Sequence, residues 1–139
     1  MAQFDETFDW VVVGSGAGSM SSALLMKQAG KSCVILEKAE WLGGTTCKSG
    51  GVMWIPANRF MDPGEDSIEK AVQYLDTLIQ DEPDSPGTSP ERRRAYVVQS
   101  SKMLDFIISQ GVELERGSHF WPDYYDEVPG GMKTSRTVT

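Results

Sequence analysis

Apolar residues follow two different rhythms along the first third of this 139-residue chain. Trp10 to Val13 is an unbroken, mostly β-branched apolar run, which reads as a buried strand over about residues 9–13, of the kind found in a parallel sheet covered on both faces. Gly14-Ser15-Gly16-Ala17-Gly18 then turns the chain, and from Ser19 the spacing becomes helical. Ala23, Leu24 and Met26 fall inward and Gly30 is placed to end the element, giving a helix over 17–29. Ser32 to Glu37, carrying Cys33, Val34, Ile35 and Leu36, repeats the strand signature. Together these form a β-α-β unit, for which a right-handed crossover is expected. Residues 1–8 read as a short leader. Residues 38–64 are rich in Gly, Thr, Ser and Pro and show no helical period, and so long an irregular stretch in a compact domain usually serves function.

Two amphipathic helices follow. Ile68, Ala71, Val72, Leu75, Leu78 and Ile79 line one stripe of a helix over 66–80. After a loop over 81–87, Ser89 reads as an N-cap, with Pro90 at the first helical position and Glu91 in the first turn. That helix spans 90–110, with Tyr96, Val97, Ser100, Met103, Leu104, Ile107 and Ile108 inward and Gly111 ending it. Both read as scaffolding. Val112 to Glu115 is a short strand candidate, His119 to Tyr125 an aromatic cluster, and no closing element is expected before Thr139. The chain divides on this reading into 1–64 and 65–139.

Composition narrows the function. Thirteen basic against twenty acidic residues give a formal charge of −7, without a basic stripe, which argues against nucleic acid and anionic membrane surfaces. Arg92-Arg93-Arg94 reads as a solvated first helical turn. Cys33 and Cys47 make no disulfide framework, so a reducing, cytoplasmic setting is expected. The acidic N-terminus lacks the apolar core of a signal peptide, and no apolar run approaches the roughly 20 residues of a membrane span. No metal site is expected.

The glycine turn carries the chemistry. Gly14 and Gly16 occupy the first two places of a GxGxxG pattern, while the last place is Ser19, with Gly18 one position earlier. Such a turn bends tightly, lets the backbone approach a pyrophosphate, and aims the positive end of the following helix at it. Glu37 lies 23 residues after Gly14, close to the spacing of about 20 at which an acid accepts hydrogen bonds from ribose hydroxyls. A carboxylate there repels a 2′-phosphate and disfavours NADP. The turn alone does not choose between FAD and NAD, but a second loop rich in Gly and hydroxyls follows Glu37 and Lys38. Gly43, Gly44, Thr45, Thr46, Ser49, Gly50 and Gly51 in that loop suit the larger cofactor, FAD.

These residues resemble the N-terminal part of the FAD-dependent fumarate reductase and 3-ketosteroid dehydrogenase superfamily. The resemblance runs from about residue 7 to the end, on VVVGSGAG, VILEK, GGTTCKSGG and Val52-Met53-Trp54-Ile55-Pro56. The last of these, with Trp121-Pro122-Asp123-Tyr124-Tyr125, is most similar to the 3-ketosteroid Δ1-dehydrogenase branch. The resemblance implies an α/β, Rossmann-like FAD-binding domain that is truncated, followed by the beginning of a helical, substrate-side segment. It implies a cofactor site of Gly14, Ser15, Gly16, Ala17, Gly18, Glu37, Lys38, Gly44, Thr45, Thr46, Ser49, Gly50 and Gly51. Tyr124 takes the catalytic position that supports the base. The loop from Gly44 to Ser49 lacks the histidine that attaches FAD in succinate dehydrogenases, so noncovalent FAD is expected. The implied reaction of the full-length protein is proton abstraction at C2 of a 3-ketosteroid and hydride transfer from C1 to flavin N5, with no electron acceptor indicated. The family's principal base lies outside this segment, so no turnover is expected from these residues alone.

Ser135-Arg136 where that branch has Gly-Arg, Trp121 and Ser19 depart from the pattern. A fumarate- or urocanate-type reductase is one alternative; it needs arginines for carboxylates, for which Arg116 and Arg136 are available. A non-catalytic FAD-binding fragment is a second, and an NAD-dependent dehydrogenase a third. The bland reading of the aromatic cluster is a core patch with tyrosine hydroxyls at its rim.

Overall fold

The computed structural model describes residues 4–81, 86–118 and 121–139. The chain forms two compact units, Met1–Gly51 and Val52–Thr139. Residues 52–64 therefore belong with the second unit. Part of the leader, part of the loop over 81–87, and His119 and Phe120 of the aromatic cluster lie outside the described residues.

In the first unit, β1 (Trp10–Val13) pairs in parallel with β2 (Cys33–Leu36), Trp10 opposite Cys33 and Val13 opposite Leu36. Helix α1 (Ala17–Gln28) makes the crossover. It ends at Gln28 with Ala29 as its C-cap, and just beyond, the Gly30 N–H donates to the Lys27 carbonyl while that of Lys31 reaches the Met26 carbonyl, which closes the helix. Asp9 ties the start of β1 to that of β2: its carboxylate accepts from both the Ser32 N–H and hydroxyl at 2.9 Å. Those bonds, the backbone one first, hold its pKa below the ordinary value.

The strands are not buried as their apolar run suggests. Val12 is half-buried, whereas Val11 and Val13 are 53% and 80% exposed. Successive side chains alternate between the faces of a strand. Within this unit α1 packs on the sheet and leaves that other face open.

The second unit is built on α2 (Ile68–Leu78) and α3 (Pro90–Ser109). Ser67 caps α2 by accepting from the Lys70 N–H at 3.1 Å, and Ser89 caps α3 by accepting from the Arg92 N–H at 3.4 Å. Two short strands, β3 (Met53–Trp54) and β4 (Thr137–Val138), pair antiparallel, so the chain does have a further element before Thr139. The strand expected at Val112 to Glu115 is not formed. Pairing begins later: Glu115 exchanges hydrogen bonds with Thr139, Arg116 bridges Val138, and the Gly117 N–H donates to Thr137. The apolar run marked where Leu114 packs on the core rather than where the backbone pairs.

That core joins Ile55, Leu104 and Val138, all at most 1% exposed. Leu104→Ala is expected to lower the unfolding free energy by about 3 kcal/mol, read as a fall in the urea midpoint; a change under about 1 kcal/mol would mean that the core is not packed as described. The arginine run is not wholly solvated either. Arg93 is buried, with Nε on Asp76 (2.6 Å), Nη2 on Asp81 (2.8 Å) and Nη1 on the Thr88 carbonyl, so it clasps α2 to the start of α3. Gly130 adopts φ +82°, and a Cβ there would collide with the Tyr74 backbone nitrogen and the Lys70 carbonyl. Only glycine lets this loop lie flush on α2.

Candidate functional site: a glycine cradle and an aromatic cavity

In the first unit the glycine turn, the acid after β2 and the second glycine-rich loop come together. The Gly14 N–H donates to the Leu36 carbonyl at 2.7 Å, which locks the turn to the end of β2. Gly16 is the N-cap of α1 and offers no side chain to fill the helix end. The first turn, Ala17, Gly18 and Ser19, contains no acid, so nothing there repels an anion. Thr46 Oγ1 accepts from the Ala17 N–H at 3.2 Å, bringing the second loop against the helix start.

Glu37 is pinned at both oxygens. Oε1 accepts from the Ala39 N–H at 2.9 Å, and Oε2 accepts from the Ser15 N–H at 2.9 Å and hydroxyl at 2.5 Å. The Ala39 bond first, then the Ser15 hydroxyl, hold its pKa below the ordinary carboxylate value. A carboxylate has about four acceptor positions, of which these hydrogen bonds fill three.

The second loop turns at Gly43 (φ +103°) and Gly44. A Cβ on Gly43 would meet Cys47 Cβ at 2.6 Å. Thr46–Lys48 form one 3₁₀ turn with Thr45 as its N-cap, and the Cys47 thiol donates to the Gly44 carbonyl at 3.1 Å. Ser49 Oγ donates to the Thr46 carbonyl (2.8 Å) and accepts from the Gly51 N–H (3.1 Å), so Ser49, Gly50 and Gly51 are ordered within their own loop. Lys38 is exposed. The glycine cradle, the acid-free helix end and the spare acceptor on Glu37 fit a dinucleotide with its ribose hydroxyls unmodified.

In the second unit a cavity of about 810 Å³ is walled by Trp54, Tyr74, Leu78, Trp121, Tyr124 and Tyr125, among others. Tyr124 lines it fully exposed. Asp123, next to it, is buried and fixes the segment: Oδ1 accepts from Trp54 Nε1 (2.7 Å), and Oδ2 from the Met132 N–H (3.0 Å) and Arg136 Nη1 (2.7 Å). Arg136 turns its other edge to Asp66, Nη2 to Oδ1 at 2.7 Å and Nε to Oδ2 at 2.9 Å. All three side chains are at most 1% exposed. The guanidinium also lies 5.5 Å from the Trp54 ring and 5.6 Å from that of Tyr74. Burial, first, pushes the Tyr74 pKa above its ordinary value. Asp66 and its link to Arg136 escaped the sequence reading. The one clue was a carboxylate set among aromatic residues at Asp123.

Arg116 is likewise committed. Nη2 and Nη1 donate to Glu65 Oε1 (2.5 Å) and Oε2 (2.9 Å), and Thr134 Oγ1 donates to Oε1 (2.7 Å). The Arg116 hydrogen bonds, followed by that of Thr134, bring the Glu65 pKa down to about 2. This stabilisation is complete above the ordinary value of 4.5 and is lost as pH falls through about 2. Glu65→Gln is therefore expected to cost about 2–3 kcal/mol at pH 6 and progressively less below pH 4. Urea unfolding of both proteins at pH 6 and pH 3 checks this, and an equal gap at the two pH values would refute it.

A family model described as FAD binding domain matches residues 9–138. The chain is 36% identical over 135 residues to 3-oxosteroid 1-dehydrogenase of Mycolicibacterium smegmatis, covering 96% of this chain and 23% of that protein. It is 38% identical over 140 residues to 4-oxocyclohexanecarboxylate 2-dehydrogenase of Sinomonas cyclohexanicum, covering 95% of this chain and 22% of that one. Its structure is similar to the crystal structure of 3-ketosteroid Δ1-dehydrogenase from Sterolibacterium denitrificans in complex with 1,4-androstadiene-3,17-dione, with a TM-score of 0.81, 34% identity, and coverage of 94% of this chain and 22% of that one. The chain thus spans between a fifth and a quarter of the length of these relatives.

Proposed function

The chain belongs to the FAD-binding-domain family, and from that membership we propose that it is the cofactor-binding and pocket-wall segment of an FAD-dependent 3-ketosteroid Δ1-dehydrogenase. One observation carries the choice of substrate. The cavity beside Tyr124 is walled mainly by aromatic and aliphatic residues, while Arg116 and Arg136, the cations a dicarboxylate would need, are bound to Glu65, Asp66 and Asp123. An apolar polycyclic ketone suits such a wall and a dicarboxylate does not.

On this reading the first-turn N–H groups of α1 other than that of Ala17, which Thr46 holds, face the pyrophosphate. Glu37 accepts a ribose hydroxyl, and Gly44, Thr45, Thr46, Ser49, Gly50 and Gly51 form the second cradle. No histidine lies between Gly44 and Ser49, which supports noncovalent binding. When bound, FAD supplies the acceptor for a hydride from steroid C1. The 3-keto group acidifies the C2 proton, and Tyr124 hydrogen-bonds the base that removes it, helping to bring the pKa of that base toward working pH. Cys33 and Cys47 are both free thiols, which supports a cytoplasmic setting.

Added FAD is expected to give the purified protein a flavin spectrum. The full-length enzyme carrying this segment is expected to reduce an artificial electron acceptor with a 3-ketosteroid. Parallel assays use 4-oxocyclohexanecarboxylate with the same acceptor, and fumarate with reduced dye. Activity confined to either acid sinks the steroid reading, and a colourless protein that takes up no FAD sinks the cofactor reading.

A further inference from the structure

Ser15 is 2% exposed, and its hydroxyl joins pieces of chain that are far apart in sequence. It donates its proton to Glu37 Oε2 at 2.5 Å, and its oxygen accepts from the Gly43 N–H at 2.8 Å. Its own N–H reaches the same Glu37 oxygen at 2.9 Å. A serine hydroxyl has one proton to give, and here it is given to the carboxylate. The side chain cannot swing out toward a ligand without breaking both bonds inside a closed site.

We infer that Ser15 is a positioning residue for the dinucleotide, acting through Glu37 and the Gly43–Gly44 turn rather than by touching the cofactor. The inference rests on the FAD reading above. With Oε2 held by Ser15, the carboxylate cannot rotate about its last bond, and its spare acceptor position keeps one direction. The same hydroxyl holds the N–H of Gly43, and the backbone of Gly44 lies against Gly16, whose N and Cα would be 3.9 Å from a Cβ on Gly44. One side chain thereby sets the acid, the phosphate turn and the second loop relative to one another before any ligand arrives. Such preorganisation lowers the cost of binding without adding a contact.

A double-mutant cycle tests this. FAD dissociation constants are measured by flavin fluorescence for the unaltered protein, Ser15→Ala, Glu37→Ala and the double variant. Ser15→Ala is expected to weaken FAD about tenfold, the size of one charge-assisted hydrogen bond. In the Glu37→Ala background the same change is expected to weaken it less than about threefold, since no carboxylate remains to be positioned and only the bond to the Gly43 N–H is left to lose. Tenfold in both backgrounds would show that Ser15 acts independently of Glu37 and overturns the inference, as would no loss in Ser15→Ala. An unaltered protein that takes up no FAD instead overturns the cofactor reading, and the inference with it. Should Ser15→Ala fail to fold, amide hydrogen exchange at Gly43 decides. Glu37→Ala, which frees the Ser15 hydroxyl, is expected to speed that exchange about tenfold, and an unchanged rate overturns the relay.

Discussion

Arg136→Met is expected to destabilise the Val52–Thr139 unit by about 3–5 kcal/mol, a large share of the roughly 5–15 kcal/mol by which domains are stable. Methionine replaces most of the lost volume, so the cost is chiefly electrostatic. Asp66 and Asp123 stay buried, without the guanidinium that supplied three of their hydrogen bonds. The Trp54 and Tyr74 rings lose their cation as well. The origin of the loss can be separated from a packing defect. In Arg136→Met with Asp66→Asn and Asp123→Asn no buried charge remains uncompensated, and at least half of the lost stability is expected to return. Urea unfolding of the parent, the single and the triple variant measures both effects. A single variant within 0.5 kcal/mol of the parent, on the scale of an ordinary surface change, would show that the network does not hold this unit.

Tyr124→Phe is expected to do the reverse, leaving the fold intact and removing activity. Its side chain is fully exposed, so the unfolding free energy should stay within about 0.5 kcal/mol of the parent. In the full-length enzyme, steroid turnover with an artificial acceptor is expected to fall about 100-fold or more, the low end for a group assisting proton transfer. On the proposed role, in which the phenol acts on the base and not on steroid binding, the loss should appear in kcat and leave KM nearly unchanged. A rise in KM with kcat preserved would make Tyr124 a simple wall of the cavity.

What the sequence made legible was what is local. The β-α-β unit was readable because an apolar run, a glycine turn and a helical period stand side by side from Trp10 to Leu36. Helix α3 was readable from Ser89 and Pro90. The fine structure depended on partners far along the chain. Nothing near Arg93 announces that it closes on Asp76 and Asp81, and nothing near Arg136 points to Asp66, 70 residues earlier. Strands of two residues, such as β3 and β4, are too short to show a period at all. In the cradle, the residue types named candidate groups for a dinucleotide. They did not say that the Ser15 hydroxyl points inward to Glu37 and Gly43, because a serine in a glycine turn can face either way.

The buried arginine also sets an order of events during synthesis. Among the described residues the first unit is closed by side-chain bonds spanning at most 29 residues, so it can consolidate on the ribosome soon after its own residues emerge. The second cannot. Asp66 and Asp123 leave the exit tunnel as two carboxylates awaiting a counter-ion, and that ion arrives only with Arg136. Through that interval the Trp54 and Tyr74 rings lack the cation they enclose, and the network of the second unit closes only once the residues of β4 are being made.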